Sequence, residues 1–318
     1  MKIVAIEPLG VAKELIDRLA SVLKKQNHSF HYYETKVTDT KLLIERGKDA
    51  DIIIVANLPL NEEVINDCMN LKMISVAFTG VEHIALQVCK RRNILVCNAA
   101  GYSTNAVAEL AFGLMISLYR NIPECDIRTR SEGTKDGLVG PELKDKTLGI
   151  VGTGAIGLRV AEIARAFGCD LLGYSRTQRS EAEALGIKYV SLDELMSTCD
   201  IVTLHMPSDE STKNMISKDK IALMKRSALL INTARGPIVD NQALAEALKE
   251  GKIAGAGIDV FETEPPIPET HPLVDSPNTV LTPHVAFATK EAMIIRAEIV
   301  FNNISQWLKG EPVNIIKI

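Results

Sequence analysis

The sequence predicts an α/β protein whose parallel sheets are flanked by helices. Short apolar, β-branched runs alternate with amphipathic stretches along the whole chain. Most of these runs are apolar at consecutive positions, as strands buried on both faces of a parallel sheet are. The regular alternation of strand and helix further indicates right-handed crossover connections between parallel strands.

Ten runs are predicted as strands because they are short, apolar and mostly β-branched. They are Lys2–Ile6, Asp51–Ala56, Lys72–Ala77, Ile94–Ala99, Thr147–Gly152, Asp170–Ser175, Asp200–His205, Ala228–Thr233, Ile253–Val260 and Thr279–His284. The intervening patterns predict helices that include Gly10–Lys25, Thr104–Arg120, Ile156–Phe167, Asn241–Glu250 and Lys290–Lys309. A polar segment, Glu124–Lys146, separates two strand–helix series, and we expect it to form an arm or linker.

Composition limits the class of protein. A chain of 318 residues fits about two domains of ordinary size. The net charge of −4, without a concentrated basic face, argues against a nucleic-acid partner. No apolar run reaches the length of about 18 residues that a membrane helix needs, so no membrane partner is expected. Six scattered cysteines without a C-x-x-C pair indicate a reducing compartment, and we expect a cytoplasmic protein without structural zinc.

A glycine motif follows the strand at Thr147. Gly152, Gly154 and Gly157 form G-x-G-x-x-G between this strand and the helix that follows it. In such motifs the first glycine permits a tight turn, the second admits a pyrophosphate and the third lets helix and strand pack closely. The helix N-terminus then offers free N–H groups to phosphate. We therefore predict a dinucleotide site.

The end of the next strand bears on the coenzyme. NAD enzymes usually carry Asp or Glu about 20 residues after the motif, where this chain has Ser175 and Arg176, followed by Thr177. A serine can donate a hydrogen bond to a 2′-phosphate and an arginine can pair with it bidentately. The sequence thus favours NADP(H) over NAD(H). The alternative is that Arg176 stacks on the adenine or faces solvent.

Charged and imidazole side chains follow three later strands. Arg235 follows one strand, Asp259, Glu262 and Glu264 follow the next, and His284 ends the last. Ligands of α/β sheets bind beyond the carboxyl ends of strands, which makes these side chains candidates for catalysis.

With these residues in place, the chain as a whole resembles the NAD(P)-dependent D-isomer-specific 2-hydroxyacid dehydrogenases. The matching segments occur in the family's order and span nearly the whole chain: Gly101–Glu109, the glycine motif, His205–Pro207, Asn232–Gly236, Gly257–Pro265 and Thr282–His284. The resemblance implies a catalytic triad of Arg235, Glu264 and His284. Glu262 is an alternative partner of the imidazole, and the family pattern favours Glu264.

The chemistry of these side chains fits the implied roles. A guanidinium fork can hold a 2-oxo acid by its carboxylate and polarise the carbonyl, so no metal is expected. An imidazole that titrates near neutrality can exchange the proton that accompanies hydride transfer. The resemblance also implies substrate contacts at Asn57, Leu58, Thr79 and Gly80.

The glycine motif, the end of the strand after it and the resemblance together give the predicted coenzyme contacts. These are Gly152, Gly154, Ala155, Ile156, Gly157, Ser175, Arg176, Thr177, His205, Pro207, Thr212, Thr233, Ala234, Asp259 and Thr104. The resemblance also implies the domain organisation. Two Rossmann-like domains are expected: a substrate domain of residues 1–99 and 286–318, split between both chain ends, and a nucleotide-binding domain of residues 100–285. The family is commonly dimeric, and residues 104–140 would supply the contact of a homodimer.

The expected activity is reduction of a small 2-oxo acid to the D-2-hydroxy acid. Residues 57–61 and 77–83 carry no Lys or Arg, which favours glyoxylate or hydroxypyruvate over a phosphorylated substrate. D-lactate or another apolar D-2-hydroxy acid is the first alternative. A second is an NAD(H)-responsive binding protein on the same scaffold. A third, an enzyme acting on formate or phosphite, fits less well because formate enzymes usually carry glutamine in place of Glu264.

Overall fold

A computed structural model describes residues 1–318, and its strands are all short. They are β1 (Lys2–Ala5), β2 (Ser29–Tyr32), β3 (Ile52–Val55), β4 (Met73–Val76), β5 (Leu95–Cys97), β6 (Thr147–Val151), β7 (Asp170–Tyr174), β8 (Lys188–Tyr189), β9 (Ile201–Leu204), β10 (Leu229–Asn232), β11 (Gly255–Ile258) and β12 (Thr279–Leu281).

Helices connect most of the strands. They are α1 (Lys13–Lys25), α2 (Thr40–Gly47), α3 (Glu62–Asp67), α4 (Leu86–Arg91), α5 (Thr104–Tyr119), α6 (Ile122–Arg130), α7 (Ala155–Ala166), α8 (Ser180–Ala184), α9 (Leu192–Thr198), α10 (Lys218–Leu223), α11 (Asn241–Lys249) and α12 (Lys290–Leu308). Five of them begin after a residue whose side chain accepts a backbone N–H of the first turn, which satisfies one of the donors that a helix start leaves unpaired. These residues are Asp39, Asn61, Ser191, Asp240 and Thr289.

The chain divides into two compact units. Unit 1 comprises Met1–Ser103 and Ala288–Ile318, and unit 2 comprises Thr104–Phe287. In unit 1 all pairings of the five-stranded sheet, in the order β2-β1-β3-β4-β5, are parallel. The central strands β3 and β4 are buried along their whole length. Because parallel strands end at one edge, the loops after β1, β3 and β4 gather there.

Unit 2 contains a seven-stranded parallel sheet in the order β12-β11-β10-β9-β6-β7-β8. The chain runs from β6 outward to β8 and then crosses back to β9 on the other side of β6. Strand order therefore reverses between β6 and β9, and a crevice opens beyond the carboxyl ends of these strands. Apolar side chains cover both faces of the sheet.

The predicted fold class is confirmed. All ten predicted strands form, and both sheets are parallel with helices around them. The sequence missed β2 and β8, which are edge strands: β2 alternates between exposed and half-buried residues, and β8 has two residues. Neither presents the continuous apolar run of a central strand. The predicted arm is also partly helical, since α6 extends to Arg130.

None of the helices combines the length and the apolar character that crossing a bilayer demands.

Candidate active site

The glycine motif lies between β6 and α7 and forms one wall of a cleft in unit 2. Gly157 is required by close packing, because a Cβ there would lie 2.1 Å from the carbonyl oxygen of Gly152. Gly154 is different: a Cβ on it would meet nothing within 4 Å. The space in front of Gly154 is thus open, as the approach of a pyrophosphate to the backbone requires.

The N-terminus of α7 fits an anion. Its N-cap residue is Gly154, so no side chain caps the helix, and the first turn contains no acidic residue. The first-turn residues Ala155, Ile156 and Gly157 are predicted coenzyme contacts. Free N–H groups at the positive end of a helix dipole stabilise bound phosphate. The residues present therefore fit a dinucleotide.

The structure brings most of the predicted coenzyme residues into this one cleft. Those that line it are Gly152, Gly154, Ser175, Arg176, Thr177, His205, Pro207 and Thr212. Thr153, Tyr174, Met206 and Met215 also line it and were missed, because nothing in their residue type distinguishes them from core or loop positions. Thr104, outside this lining, begins α5.

Tyr189 connects the glycine motif to the loop after β7 by hydrogen bonds of its hydroxyl group. The hydroxyl of Tyr189 lies 2.7 Å from Oγ1 of Thr153, inside the glycine motif, and accepts the backbone N–H of Arg179 at 3.1 Å. The loop that carries Ser175 and Arg176 is therefore anchored to the phosphate loop. The side chain of Arg176 is 66% exposed, and its Nη1 lies 3.4 Å from Oδ2 of Asp209.

His205 lies half-buried beside the glycine loop. Its Nε2 lies 2.8 Å from Oγ1 of Thr203, and its Nδ1 is buried without a hydrogen-bond partner. Burial lowers the pKa of His205 to about 3, so the imidazole stays neutral near pH 7. An unsatisfied buried nitrogen costs stability, and a bound ligand could satisfy it. Oγ1 of Thr233 is another buried polar atom without a partner.

Arg235 lies three residues beyond β10 on a loop held by Asn232. The side chain of Asn232 accepts the N–H of Ala234 and donates to the carbonyl of Arg235, both at 3.0 Å. The next residue, Gly236, packs closely on the loop that follows β11. A Cβ on Gly236 would lie 1.9 Å from the carbonyl oxygen of Phe261. The loop of Arg235 is thereby fixed against the segment that carries the acidic candidates.

Asp259 holds the loop that carries the candidate histidine. Its carboxylate is fully buried and accepts hydrogen bonds from Oγ1 of Thr282 and from the N–H groups of Val285 and Ala286, at 2.6, 2.9 and 2.9 Å. The residues that donate these bonds lie on both sides of His284 in the chain. The backbone φ of His284 is 55°, which is uncommon for a residue other than glycine. Asp259 thus has a positioning role that the sequence did not suggest, and its coenzyme contact stays a prediction.

His284 and Glu264 form a hydrogen-bonded pair. Nδ1 of His284 lies 2.8 and 3.1 Å from the two carboxylate oxygens of Glu264. Since a carboxylate only accepts, Nδ1 is the donor, and Nε2 is the nitrogen available to a substrate. The ring of Phe287 meets the imidazole edge-on at 5.3 Å between centroids. β10, β11 and β12 pair in this order, so Arg235 and His284 follow strands at one sheet edge.

The alternative acid, Glu262, has other partners. Its carboxylate accepts from Nδ2 of Asn241 at 2.7 Å and lies 2.9 Å from Nε2 of His271. The ring nitrogen Nδ1 of His271 accepts the N–H of Leu273, so the proton resides on Nε2. Burial opposes ionisation of Glu262, but the hydrogen bond from His271 and its other hydrogen bonds outweigh it and hold the pKa below its usual range. Glu262 therefore fastens the loop that carries Glu264.

In unit 1 a buried carboxylate shapes one predicted substrate loop. Oε1 of Glu7, at the end of β1, accepts the N–H groups of Ala56, Asn57 and Leu58 at 2.7, 2.9 and 2.9 Å. No sequence pattern indicates this contact, because Glu7 is a single acidic residue after an apolar strand. Thr79 and Gly80 follow β4 and lie at the same sheet edge.

Unit 1 also contains a buried arginine that the sequence did not indicate. Arg296, on α12, is 4% exposed, and its Nη2 donates to the carbonyl of Leu9 at 2.7 Å. Its guanidinium carbon lies 5.4 Å from the ring centre of Phe78 and 5.8 Å from that of Tyr102. A positive charge therefore lies near Phe78 of the 77–83 loop, although the loop itself contains no Lys or Arg.

A parallel sheet with a glycine-rich phosphate loop at its switch point, and an acid-paired histidine beyond the last strand of the same sheet, is typical of a nicotinamide-dependent dehydrogenase. Residues 112–286 match the model of the D-isomer specific 2-hydroxyacid dehydrogenase, NAD binding domain. The chain belongs to this family of NAD-dependent dehydrogenases, which act on a CH–OH donor.

Sequence and structure comparisons with known proteins support the same family over nearly the whole chain. The chain is 37% identical over 314 residues to a glyoxylate reductase of Korarchaeum cryptofilum, covering 96% of this chain and 94% of the relative. It is 40% identical over 273 residues to a D-3-phosphoglycerate dehydrogenase of Methanocaldococcus jannaschii, covering 85% of this chain but 52% of that longer relative. The structure of the acyclic imino acid reductase Bsp5 in complex with NADPH and D-Arg superposes with a TM-score of 0.90 at 31% identity, covering 100% of both chains.

Proposed function

We propose that the protein transfers hydride between NAD(P)H and a small 2-oxo acid to give the D-2-hydroxy acid, with glyoxylate and hydroxypyruvate as the preferred substrates. The observation that carries the proposal is the His284–Glu264 pair, at 2.8 Å, in the same unit as a phosphate loop. An acid-paired imidazole, with an arginine that follows another strand of the same sheet, suits proton exchange with a polarised carbonyl.

When bound, the dihydronicotinamide supplies the hydride. The N–H groups at the start of α7 hold the pyrophosphate. Arg235 pairs with the substrate carboxylate and polarises the carbonyl through its second nitrogen. Nε2 of His284 gives its proton to the carbonyl oxygen during reduction and takes it back during oxidation. Glu264 orients the ring through a hydrogen bond to Nδ1.

The proposed substrate contacts are Asn57, Leu58, Thr79 and Gly80. Glu7 accepts the N–H groups of Asn57 and Leu58, which holds the backbone of this loop in place. A substrate without a phosphate group is supported by the absence of Lys and Arg from residues 57–61 and 77–83. The buried Arg296 is engaged with the carbonyl of Leu9 and with aromatic rings, which argues against a role in holding a phosphate.

NADP(H) is the proposed coenzyme. Ser175 and Arg176 line the cleft where an NAD enzyme usually has a carboxylate. Thr177 and Arg179 line it as well. An arginine fork and hydroxyl donors together can bind a 2′-phosphate, which carries about −1.5 to −2 charges at neutral pH.

A homodimer is proposed through the arm. Ile127 on α6 is 62% exposed and Val139 is 87% exposed, which is unusual for large apolar side chains. A groove of about 750 Å³ lies beside them, lined by residues of α5, the arm and the edge of the sheet. Light scattering should give twice the monomer mass of 34.7 kDa, and the monomer mass would refute the dimer.

The experiment that tests the activity follows nicotinamide absorbance with purified protein, using NADPH and NADH in parallel. The acids are glyoxylate, hydroxypyruvate, pyruvate, 2-oxobutyrate, 2-oxoisocaproate, phenylpyruvate and 3-phosphohydroxypyruvate. We expect NADPH to be oxidised fastest, and with glyoxylate and hydroxypyruvate as the acids. Faster turnover of pyruvate or 2-oxoisocaproate would replace the substrate assignment with an apolar one. Tight coenzyme binding without turnover of any acid would favour an NAD(H)-responsive binding protein.

A further inference from the structure

Asp209 faces the arginine that is proposed to recognise the 2′-phosphate. Oδ2 of Asp209 lies 3.4 Å from Nη1 of Arg176, across the mouth of the coenzyme cleft. Arg176 belongs to the loop after β7, whereas Asp209 belongs to the loop after β9, which lines the opposite wall through Pro207 and Thr212. The two walls are therefore joined by one ion pair at this point.

The carboxylate of Asp209 is held in place by its own loop. Oδ1 accepts the N–H of Ser211 at 2.8 Å and also its hydroxyl. The N–H of Asp209 donates to Oγ1 of Thr212 at 2.7 Å, and that hydroxyl donates to the carbonyl of Pro207 at 3.0 Å. The hydrogen bonds from Ser211, with the nearby Arg176 charge, hold the pKa of Asp209 below its usual value. The group is thus a fixed negative charge across the neutral pH range.

A 2′-phosphate bound by Arg176 would lie next to this charge. The coenzyme would have to displace Oδ2 of Asp209 from the guanidinium and then tolerate repulsion between the carboxylate and the phosphate. NAD(H), which carries a hydroxyl at the same position, meets neither cost. Both side chains are partly exposed, Arg176 to 66% and Asp209 to 41%, so water screens the pair and limits the effect.

We propose that Asp209 is a specificity-determining residue whose carboxylate competes with the 2′-phosphate for Arg176 and so restrains the preference for NADP(H). The inference rests on the proposed dehydrogenase function, and it deepens that proposal by assigning the balance between the two coenzymes to a residue outside the glycine motif and the end of β7. Ser175 and Arg176 favour the phosphate, and Asp209 opposes it.

The test is Asp209→Asn in the full chain. Asparagine keeps the size of the side chain and the acceptor for Ser211 but removes the charge. Dissociation constants for NADPH and NADH are measured by nicotinamide fluorescence at low ionic strength. We expect NADPH to bind about tenfold more tightly, the size of a screened charge–charge repulsion at such a distance, and NADH to change less than twofold. The gain should shrink at high salt.

Glu210→Gln is the matched control, because it removes the same charge from the adjacent exposed position. It is expected to leave the ratio of the two dissociation constants unchanged. The inference is overturned if Asp209→Asn leaves that ratio unchanged, if it shifts both coenzymes equally, or if Glu210→Gln reproduces its effect. A wild-type preference for NADH would instead contradict the proposed coenzyme alone, since the ratio would still report on Asp209.

Discussion

Replacing His284 by glutamine should lower kcat for reduction of the 2-oxo acid by at least about 100-fold, the lower bound of what a general acid typically contributes. Glutamine can still donate a hydrogen bond, but it cannot deliver a proton to the carbonyl oxygen. Binding of the coenzyme should be unchanged, since none of the residues lining the coenzyme cleft is altered. Steady-state kinetics with hydroxypyruvate, together with coenzyme titration, provides both values.

The matched control is His31→Gln, which changes an exposed histidine on the edge strand β2. It should retain full activity. A His284→Gln enzyme within tenfold of wild type would show that another group supplies the proton and would remove the centre of the proposed mechanism.

The two directions of the reaction should respond to pH in opposite ways. Reduction consumes a proton that His284 must carry, so its rate should fall as pH rises. Oxidation requires the neutral ring as a base, so its rate should rise with pH. In His284→Gln both profiles should lose their slope, and a retained slope would assign the proton transfer to another group.

Replacing Arg235 by lysine should lower kcat/KM for the 2-oxo acid by about 100-fold. Lysine keeps the positive charge but loses the planar fork that binds a carboxylate through two parallel hydrogen bonds. One lost charge-assisted hydrogen bond is worth about 1.5–3 kcal/mol, or about 10- to 150-fold. Most of the loss should appear in KM for the acid, while KM for the coenzyme stays near the wild-type value.

Arg226→Lys is the control for this substitution. Nε of Arg226 donates to the carbonyl of Gly251 on the surface of unit 2, and this contact involves no candidate catalytic residue. Its kinetics should match wild type. If Arg235→Lys also leaves kcat/KM unchanged, the fork does not bind the substrate and the carboxylate must be held elsewhere.

The fold was largely predictable because it depends on local patterns, whereas the candidate triad came from the family resemblance and stays a prediction. Continuous apolar runs define buried parallel strands, and the carboxyl ends of such strands meet at one edge of the sheet. The end residues of predicted strands therefore identified Arg235 and His284 as candidates. The edge strands β2 and β8 lack this pattern and were missed.

Contacts between distant loops could not be predicted from the same patterns. Spacing alone did not separate Glu262 from Glu264 as the partner of His284; the structure does so through His271, which engages Glu262. The bond from Glu7 to three loop N–H groups and the pair of Arg176 with Asp209 join segments far apart in sequence. Their partners follow from the three-dimensional arrangement of loops, which residue type and periodicity do not encode.

The most direct test of the central claim is the chirality of the product. Hydroxypyruvate is reduced with NADPH, and the glycerate formed is resolved by chiral chromatography while oxidation of the coenzyme is followed by absorbance. We predict one equivalent of D-glycerate for each equivalent of NADPH oxidised. L-glycerate, a racemate, or no glycerate from protein that binds the coenzyme would contradict the proposed hydride transfer at this site.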